Sequence, residues 1–541
     1  MESHGQLEWG HFTMRDFQLP RRSAVLAPNG MAATSHPRAT LAAIDVLRAG
    51  GNAVDAAVTA AACLTVVEPH MTSAGGDLFA LVSEPDGTIH GLNASGHAPK
   101  GLDAEWLRER GLSEMPEHHG LAVTVPGAVA GWAELCVRFG RFGLDRALQP
   151  AIDLARNGYP VAPRVAHDWG EAADRLRRDV GASTHHLKAD GTAPKIGDVW
   201  VQPALAATYE RIAAEGPDGF YRGAVAEDLV SAIARQGGVM MADDLADISI
   251  DWVMPVEHTY RAYGVVELPP NTQGVVALMM LGILEGFDLA ELDPNGAQRV
   301  HLEMEAARLA YGVRDGFVGD PASSPDPADF LSPAHIASLR GRIDPARRGP
   351  ETAAMDPRLA TDTILLTVAD GEGRCITVIN SIFDSFGSGI VGEQSGVVLQ
   401  NRGAAFSLQQ GHPNEVKPGK RPLHTLIPGL LRRNGRTVMS FGVMGGQYQA
   451  CGHTHFLTNM IDFGMDVQSA LDAPRAFIEG GPLAVEHTVP ETTQAQLSAM
   501  GHRVEIASKP WGGGQAIWID HDRGVLIGGS DPRKDGCAIG F

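Results

Sequence analysis

One threonine in this sequence stands where its hydroxyl could act as a nucleophile. Thr363 begins the first of two runs rich in Ile, Leu, Val and Thr, residues 363–369 and 374–382, which Asp-Gly-Glu-Gly separates. These runs predict two strands joined by a hairpin turn. A threonine hydroxyl needs an adjacent base, and its own α-amine, with a pKa near ~7.7–8.0, serves once the chain is cut before it. The alternative is that Thr363 is one of many strand threonines.

A pair of glycines offers a second feature of acyl-transfer chemistry. A hydrolase that forms a tetrahedral intermediate needs hydrogen-bond donors aimed at the new oxyanion, and paired glycines let backbone N–H groups approach it closely. Gly445 and Gly446 form such a pair in the segment Phe-Gly-Val-Met-Gly-Gly. A simple tight turn is the alternative interpretation.

Other motifs with known chemistry are weak or absent. Gly387, Gly389 and Gly392 match the dinucleotide fingerprint by letter, but a strand-like Gly-Val-Val-Leu follows where that fingerprint requires a helix. No nucleophile elbow, zinc-protease or Walker sequence occurs. The histidine pairs 118–119 and 453/455 lack a nearby carboxylate pattern, which favours surface or packing roles. We therefore predict no metal and no cofactor.

The composition indicates which kinds of molecule the protein could bind and in which cellular compartment it could lie. The 541 residues are 44% hydrophobic, enough for a large core, and the net charge of −20 argues against nucleic acid as a partner. Five cysteines without a C-x-x-C pair argue against a disulfide framework or a zinc site. The first 22 residues lack an apolar segment, and no run is long enough to span a bilayer. We expect a cytoplasmic location and no membrane partner.

The rest of the chain predicts mixed helices and strands. Ser35 is expected to cap a helix that ends near Gly50, and Asp55 to open an alanine-rich helix over about 56–67 that lies deep between layers. Pro-, Asp- and Arg-rich residues 319–361 are interpreted as a linker. Further helices are expected at 275–284, 299–313 and 453–472, and strands at 78–83 and 89–92.

Several motifs, in their order along the chain, carry a family resemblance. They are Asp362-Thr363 with Val368-Ala369-Asp370, then Phe386-Gly387-Ser388-Gly389, Pro418-Gly419-Lys420-Arg421-Pro422 and residues 442–446. They resemble the small-subunit core of the gamma-glutamyltransferase family, which are threonine-type N-terminal nucleophile hydrolases. Residues 50–58 and Gly75-Gly76-Asp77 resemble the start of that family's large subunit. The resemblance spans nearly the whole chain.

The resemblance implies a fold and a processing event. The fold class would be α+β, a four-layer αββα sandwich of the N-terminal nucleophile hydrolase type. The chain would cut itself before Thr363 into a large subunit, residues 1–362, and a small subunit, residues 363–541, intertwined as one domain. Two such heterodimers could pair.

The resemblance also assigns residues around the nucleophile. Ser381 lies where the family carries a second hydroxyl near the nucleophile, and Gly445 and Gly446 match the oxyanion-hole pair. His424 and Thr425 replace the family's usual serine pair beside the site, so that one hydroxyl is kept and the other position changes in size and charge.

The residues with which the family binds glutamate are replaced. Ser95 stands where an arginine grips the α-carboxylate, Ala405 where an acidic residue takes the α-amino group, and Phe383 where an asparagine lies nearby. Because hydrogen bonds to charged groups are worth about 1.5–3 kcal/mol each, their loss makes glutathione a doubtful substrate.

Arg402 supplies a different charge. It lies in Gln-Asn-Arg-Gly, where the family has glutamine or glutamate, and it is interpreted as a bidentate partner for an acid that has no α-amine. A structural salt bridge is the alternative. The pattern resembles the non-glutathione branch of the family, which includes oxamate amidohydrolase.

Two hypotheses from different classes follow. The first is a self-processing gamma-glutamyltransferase-like amide hydrolase or acyltransferase that works through a Thr363 acyl-enzyme. Its small-molecule substrate would be a γ-glutamyl amide or a small carboxylated amide of the oxamate kind. The second is a catalytically silent family member that acts as a binding or scaffold protein. Chain cleavage discriminates between them, because the amine base exists only after the cut.

Overall fold

The structure is a computed structural model that describes residue 15 and residues 17–18, 21–350, 362–478 and 481–541. The strands are, in chain order, β1 Val25–Ala27, β2 Gly30–Thr34, β3 Asp77–Ser83, β4 Ile89–Ala94, β5 Tyr159–Pro160, β6 Val199–Trp200, β7 Asp251–Val253, β8 Val256–Tyr260, β9 Tyr263–Glu267, β10 Asp362–Asp370, β11 Cys375–Phe383, β12 Gly429–Arg433, β13 Arg436–Met444, β14 Ala476–Ile478, β15 Leu483–Val485, β16 Val504–Ile506, β17 Gly513–Asp520, β18 Val525–Ser530 and β19 Cys537–Gly540.

The α-helices are, in chain order, α1 Pro37–Arg48, α2 Ala53–Val67, α3 Ala104–Glu109, α4 Ala128–Phe139, α5 Leu144–Asn157, α6 Pro163–Leu176, α7 Val180–His186, α8 Pro203–Glu215, α9 Asp218–Tyr221, α10 Gly223–Arg235, α11 Ala242–Ala246, α12 Gly274–Leu284, α13 Ala297–Phe317, α14 Pro327–Phe330, α15 Pro333–Arg340, α16 Tyr448–Ile461, α17 Val467–Asp472 and α18 Glu491–Ala499. Within the described residues, none of them is long and apolar enough to cross a membrane.

Two seven-stranded antiparallel sheets form the centre of the molecule. Sheet I has the order β1-β18-β17-β13-β12-β9-β8, and sheet II has the order β19-β2-β10-β11-β3-β4-β7. Both sheets contain strands from before and after Thr363, so the two parts of the chain are interwoven through strand pairing. A cut before Thr363 would therefore leave two pieces that share both sheets.

The two sheets pack against each other, and helices cover them. Hydroxyl pairs link strands of the two sheets, Thr367 with Ser440 and Ser83 with Thr437. Helices α1 and α2 contact sheet II, whereas α12, α16 and α17 contact sheet I. Two large apolar clusters form most of the core within the described residues. One surrounds α2 and sheet II, and the other surrounds α12, α13 and α16.

Helix α2 shows why small residues are placed here. Asn52 caps it, since its side chain accepts hydrogen bonds from the N–H groups of Val54 and Asp55, and the Asp55 carboxylate accepts the Asn52 N–H in return. All of its residues are buried, and alanine lets it pack closely on β10 and β11. The prediction of a deeply placed alanine-rich helix is confirmed, although Asn52 rather than Asp55 is the cap.

The structure corrects several other local predictions. His36, not Ser35, caps α1 through its ring nitrogen. The region interpreted as a linker contains α14 and α15, and its residues 351–361 lie outside the described residues, as do residues 1–14 of the segment examined for a secretory signal. One predicted helix over 453–472 is two helices, α16 and α17, because Gly464 adopts φ 63° and Asp466 caps a new start.

The cysteines are unpaired. All five lie within the described residues and none forms a disulfide, and four of them are buried. Burial raises the pKa of the Cys375 thiol to about 12, so this side chain behaves as a small apolar residue of β11.

Candidate active site

The predicted hairpin places Thr363 beside Ser381. Strands β10 and β11 pair in antiparallel register with Ile364 opposite Asn380, and the register is irregular between Asp362 and Ile364. Thr363 is fully buried, and its Oγ1 donates a hydrogen bond to Ser381 Oγ at 3.1 Å. A hydroxyl with another hydroxyl fixed beside it is held in one orientation, as a nucleophile requires.

The glycine pair follows the strand that packs across from β10. Thr367 meets Ser440 across the two sheets, and any side chain at Gly442 would collide with Leu365. Continued in the same two-residue steps, this alignment would place Thr363 level with Met444, the last residue of β13, which Gly445 follows directly.

The backbone of the glycine pair has two unused donors. Gly445 has φ 120° and its α-carbon lies so near Gly512 that a Cβ would come within 2.7 Å of it, so only glycine fits. Among the described backbone hydrogen bonds, none uses the N–H of Gly445 or of Gly446. An oxyanion hole requires backbone N–H groups that are not already bound to another acceptor, and this pair meets that condition within the described backbone.

Arg402 is a buried cation without an ion-pair partner in the described chain. Its Nη1 donates to Thr425 Oγ1 at 3.1 Å and its guanidinium lies 4.1 Å from the centre of the Phe383 ring. Its Nε and Nη2 are buried and have no hydrogen-bond partner among the described residues. Burial lowers the pKa of Arg402 to about 9, and the nearby charges of Asp77 and Asp384 oppose that shift. The structural salt bridge that the sequence left open is not found between Arg402 and any residue of the described part of the chain.

Phe383 lies between Arg402 and Ser381, the partner of Thr363. Its N–H donates to Ser381 Oγ at 2.9 Å, and its φ of 82° is one that a bulky side chain rarely adopts. The ring packs with Ala405 in a small apolar cluster. Phe383 and Ala405 therefore form an apolar surface beside the guanidinium, at the positions where the resemblance implies polar and acidic groups for an amine.

His424 is held as a neutral ring. Its Nε2 lies 3.1 Å from Asp77 Oδ2, and its Nδ1 accepts the N–H of Leu426, which assigns the ring proton to Nε2. Burial, and then the charge of Arg402, lowers the pKa of His424 to about 3, against the effect of Asp77. The ring is therefore uncharged at neutral pH.

Asp77 is a site residue that the sequence reasoning placed only in a loop. It starts β3 opposite Ser381 of β11, and its Oδ1 accepts hydrogen bonds from the N–H of Gly96 at 2.9 Å and from Gln400 Nε2 at 3.0 Å. Its position after two glycines was a usable signal. A buried carboxylate with this many donors positions His424 and the segment that carries Arg402.

Gln273 was not predicted, and it connects the two sides of the site. Its Nε2 donates to the carbonyl oxygens of Thr425 at 2.9 Å and Gly446 at 3.0 Å, while its Oε1 accepts Arg314 Nη1 at 2.7 Å. The Gln273 side chain thereby fixes the backbone of the glycine pair relative to Thr425, whose hydroxyl accepts the hydrogen bond from Arg402. No local pattern marks a residue whose role depends on such distant partners.

The other replaced positions and the histidine pair have structural partners. Ser95 is buried, and its Oγ donates to Asn93 Oδ1 at 2.6 Å. His453 and His455 lie on α16 and pair with buried glutamates of other elements, Glu267 at 2.7 Å and Glu303 at 3.1 Å. These contacts agree with the packing role predicted for the pair.

Comparisons with known proteins identify the family of this chain. The family model described as Gamma-glutamyltranspeptidase matches residues 39–541. The chain is 35% identical over 536 residues to the oxamate amidohydrolase proenzyme of Klebsiella pneumoniae, covering 96% of this chain and 100% of that one. It is 34% identical over 538 residues to the glutathione hydrolase-like YwrD proenzyme of Bacillus subtilis, covering 96% and 99%.

A solved structure matches equally completely. The crystal structure of cephalosporin acylase from Bacillus halodurans has a TM-score of 0.90 and 39% sequence identity, covering 98% of this chain and 99% of that one. These three relatives are named as an amidohydrolase, a glutathione hydrolase-like protein and an acylase. The chain therefore belongs to the gamma-glutamyltranspeptidase family and is an amide-hydrolysing enzyme of it.

Proposed function

We propose that this protein is a self-processing amide hydrolase or acyltransferase whose nucleophile is Thr363. The observation that carries the proposal is the hydrogen bond from the buried Thr363 hydroxyl to Ser381 at the head of β10. Two of the matched relatives are named proenzymes, which agrees with activation by cleavage. Residues 1–362 and 363–541 would be the large and small subunits.

Processing would create the catalytic base. Thr363 Oγ1 would attack the carbonyl carbon of residue 362, the peptide C–N bond would break as its nitrogen is protonated, and water would hydrolyse the resulting ester. The products are a carboxylate at residue 362 and a free α-amine on Thr363. That amine titrates near ~7.7–8.0, which suits a general base near neutral pH.

Turnover would use the same atoms. The amine takes the Thr363 hydroxyl proton while Oγ1 attacks the substrate carbonyl, and the N–H groups of Gly445 and Gly446 donate to the oxyanion. Collapse of the intermediate breaks the amide bond, and the proton passes to the leaving amine. Water or another amine then resolves the acyl-enzyme, which gives hydrolysis or transfer.

The substrate would be a small amide with a carboxylate and no α-amine. The buried Arg402 guanidinium has two groups without a hydrogen-bond partner in the described chain, and a carboxylate matches that fork. Phe383 and Ala405 supply an apolar neighbour instead of a partner for an ammonium group. A γ-glutamyl ammonium would therefore lose its hydration without gaining a bond.

A matched pair of substrates tests this class. Glutaryl and γ-glutamyl anilides differ only in the α-amine, and we expect kcat/KM to be about 10- to 100-fold higher for the glutaryl compound, since a bond to a charged group is worth about 1.5–3 kcal/mol. Oxamate extends the series to shorter acids. A clear preference for the γ-glutamyl anilide would reject the substrate class, and no turnover of any amide would favour a silent binding protein.

The architecture and assembly complete the proposal. The packing of helices on both outer faces of two sheets supports a four-layer αββα sandwich of the N-terminal nucleophile hydrolase type. A cytoplasmic location and a dimer of heterodimers stay predictions from the sequence.

Ser381 should matter for both processing and turnover. In Ser381→Ala the Thr363 hydroxyl and the Phe383 N–H lose their shared partner, and a buried unsatisfied donor costs about 1–3 kcal/mol. We expect cleavage and kcat to slow by about 5- to 150-fold. Ser440→Ala is the matched control, since that buried hydroxyl pairs with Thr367 away from the nucleophile. Equal rates in the two variants would remove Ser381 from the site.

The pH dependence of kcat/KM should reflect the titration of one group, the α-amine of Thr363. The mature α-amine must be unprotonated to act as a base, so kcat/KM should fall about tenfold per pH unit below ~7.7–8.0. His424, with a pKa lowered to about 3, stays neutral in this range and should add no step. A pH–rate profile from about pH 5 to 8.5 measures this, because that range stays below the pKa of about 9 of the substrate-binding Arg402. A second ionisation that disappears in His424→Gln would contradict the neutral ring.

A further inference from the structure

A buried cluster of metal-ligating side chains lies on α13, apart from the proposed nucleophile. His301 and Glu305 are one turn apart on the same face of this helix, and His502 reaches them from the turn between α18 and β16. Their ligand atoms all lie within 4.8 Å of one another, and His301 Nδ1 is 2.8 Å from His502 Nε2. All three residues are buried.

A hydrogen bond to Asp344 determines which ring nitrogen of His301 faces the other two ligands. His301 Nε2 donates to the backbone oxygen of Asp344 at 2.8 Å, so its Nδ1 carries the lone pair, and this backing is typical of metal-bound histidine.

Glu305 supplies an anionic oxygen that nothing in the described chain uses. Its Oε2 accepts Arg308 Nη2 at 2.6 Å and the Gly349 N–H at 3.2 Å. Its Oε1 is buried with no hydrogen-bond partner among the described residues, although a buried carboxylate oxygen ordinarily has one. The cluster therefore combines two imidazole nitrogens with a buried carboxylate oxygen that has no hydrogen-bond partner among the described residues.

We propose that His301, Glu305 and His502 form a binding site for a divalent transition metal such as Zn²⁺. Two imidazoles and one carboxylate are a donor set that such ions accept in proteins. This differs from the absence of a metal expected from the sequence, where His502 lies 201 residues from His301.

The site would connect the two proposed subunits. His301 and Glu305 precede Thr363 in the chain, and His502 follows it. The backbone of Asp344 and Gly349 hydrogen-bonds to His301 and Glu305, so a bound metal would also hold this part of the chain in place. The bridging role rests on the proposed cleavage, whereas metal binding does not, because the uncut chain contains all three ligands.

Cobalt titration of metal-free protein tests the site. Wild type and the uncut Thr363→Ala variant should each bind one equivalent of Co²⁺ with visible d–d absorption, Zn²⁺ should displace it, and both ions should raise Tm. His502→Gln should weaken binding by more than about 100-fold, since even residues behind metal ligands are worth about 10- to 100-fold. His487→Gln, an exposed histidine of the small-subunit part, is the control and should bind as wild type does.

Two outcomes would overturn the proposal. The first is that neither folded wild type nor the uncut Thr363→Ala variant shows d–d bands or a shift in Tm with Co²⁺ or Zn²⁺, which would leave a plain hydrogen bond between His502 and His301. The second is binding that His502→Gln and Glu305→Gln leave unchanged, which would place the ion elsewhere. Binding by Thr363→Ala but not by active wild type would reject the subunit bridge alone, without bearing on Thr363 as nucleophile.

Discussion

Replacing Thr363 with alanine is expected to leave the chain uncut and to abolish turnover. The substitution removes the attacking Oγ1, and without cleavage no α-amine is released to act as the base. Deleting a covalent nucleophile costs on the order of 10⁴-fold or more in kcat. Denaturing gels should show one band in the variant and two in wild type, at roughly two-thirds and one-third of the chain length.

Two companion variants make this result specific. Thr363→Ser keeps a hydroxyl and should still process, at a reduced rate. Thr367→Ala removes a buried threonine of the same strand that pairs with Ser440, and it should leave cleavage intact. Wild-type activity in Thr363→Ala would place the nucleophile elsewhere.

Replacing Arg402 should separate acids from uncharged amides. Arg402→Met removes the fork that would pair with a substrate carboxylate, at a cost of about 3 kcal/mol or more for two charged hydrogen bonds. We expect kcat/KM for glutaryl-type amides to fall on the order of 100-fold or more, mainly through KM. Uncharged amides should change little. Arg402→Lys keeps the charge without the planar fork and should be intermediate.

Stability distinguishes binding from a structural role for Arg402. The buried guanidinium makes one side-chain hydrogen bond and no ion pair with the described residues, so its removal should leave Tm unchanged or higher. Arg432→Gln is a control, because that half-buried arginine pairs with Glu257 at 2.8 Å on sheet I. A large loss of Tm in Arg402→Met, with equal loss of activity on all substrates, would instead indicate a structural role.

The parts of the fold and site with local signals were predictable. The hairpin around residues 370–374 was placed to within a residue, because β-branched runs flank a turn in which Gly373 adopts φ 93° and Asp370 accepts the N–H of Glu372. The hydrogen bond between Thr363 and Ser381 follows from that pairing. The family resemblance added the functional assignment to these positions.

The parts that depend on distant partners were not predictable. Gln273 joins Thr425 and Gly446 from 152 and 173 residues away, and no local pattern marks it. The surroundings of Arg402 likewise depend on tertiary packing. Only the folded structure shows that no described carboxylate forms an ion pair with it. The cap of α1 was misplaced by one residue because serine and histidine can both accept a backbone N–H, and packing decides between them.

Cleavage before Thr363 is expected to expose the nucleophile, and the N-terminal sequence of the smaller fragment shows whether the cut lies there. Purified active protein should yield a small fragment that begins Thr-Ile-Leu-Leu, with an intact mass corresponding to residues 363–541. Brief incubation with a slowly deacylated substrate should add one acyl group to that fragment and none to the larger one. Fully active protein that remains a single intact chain, or a small fragment that begins at another residue, would contradict the account.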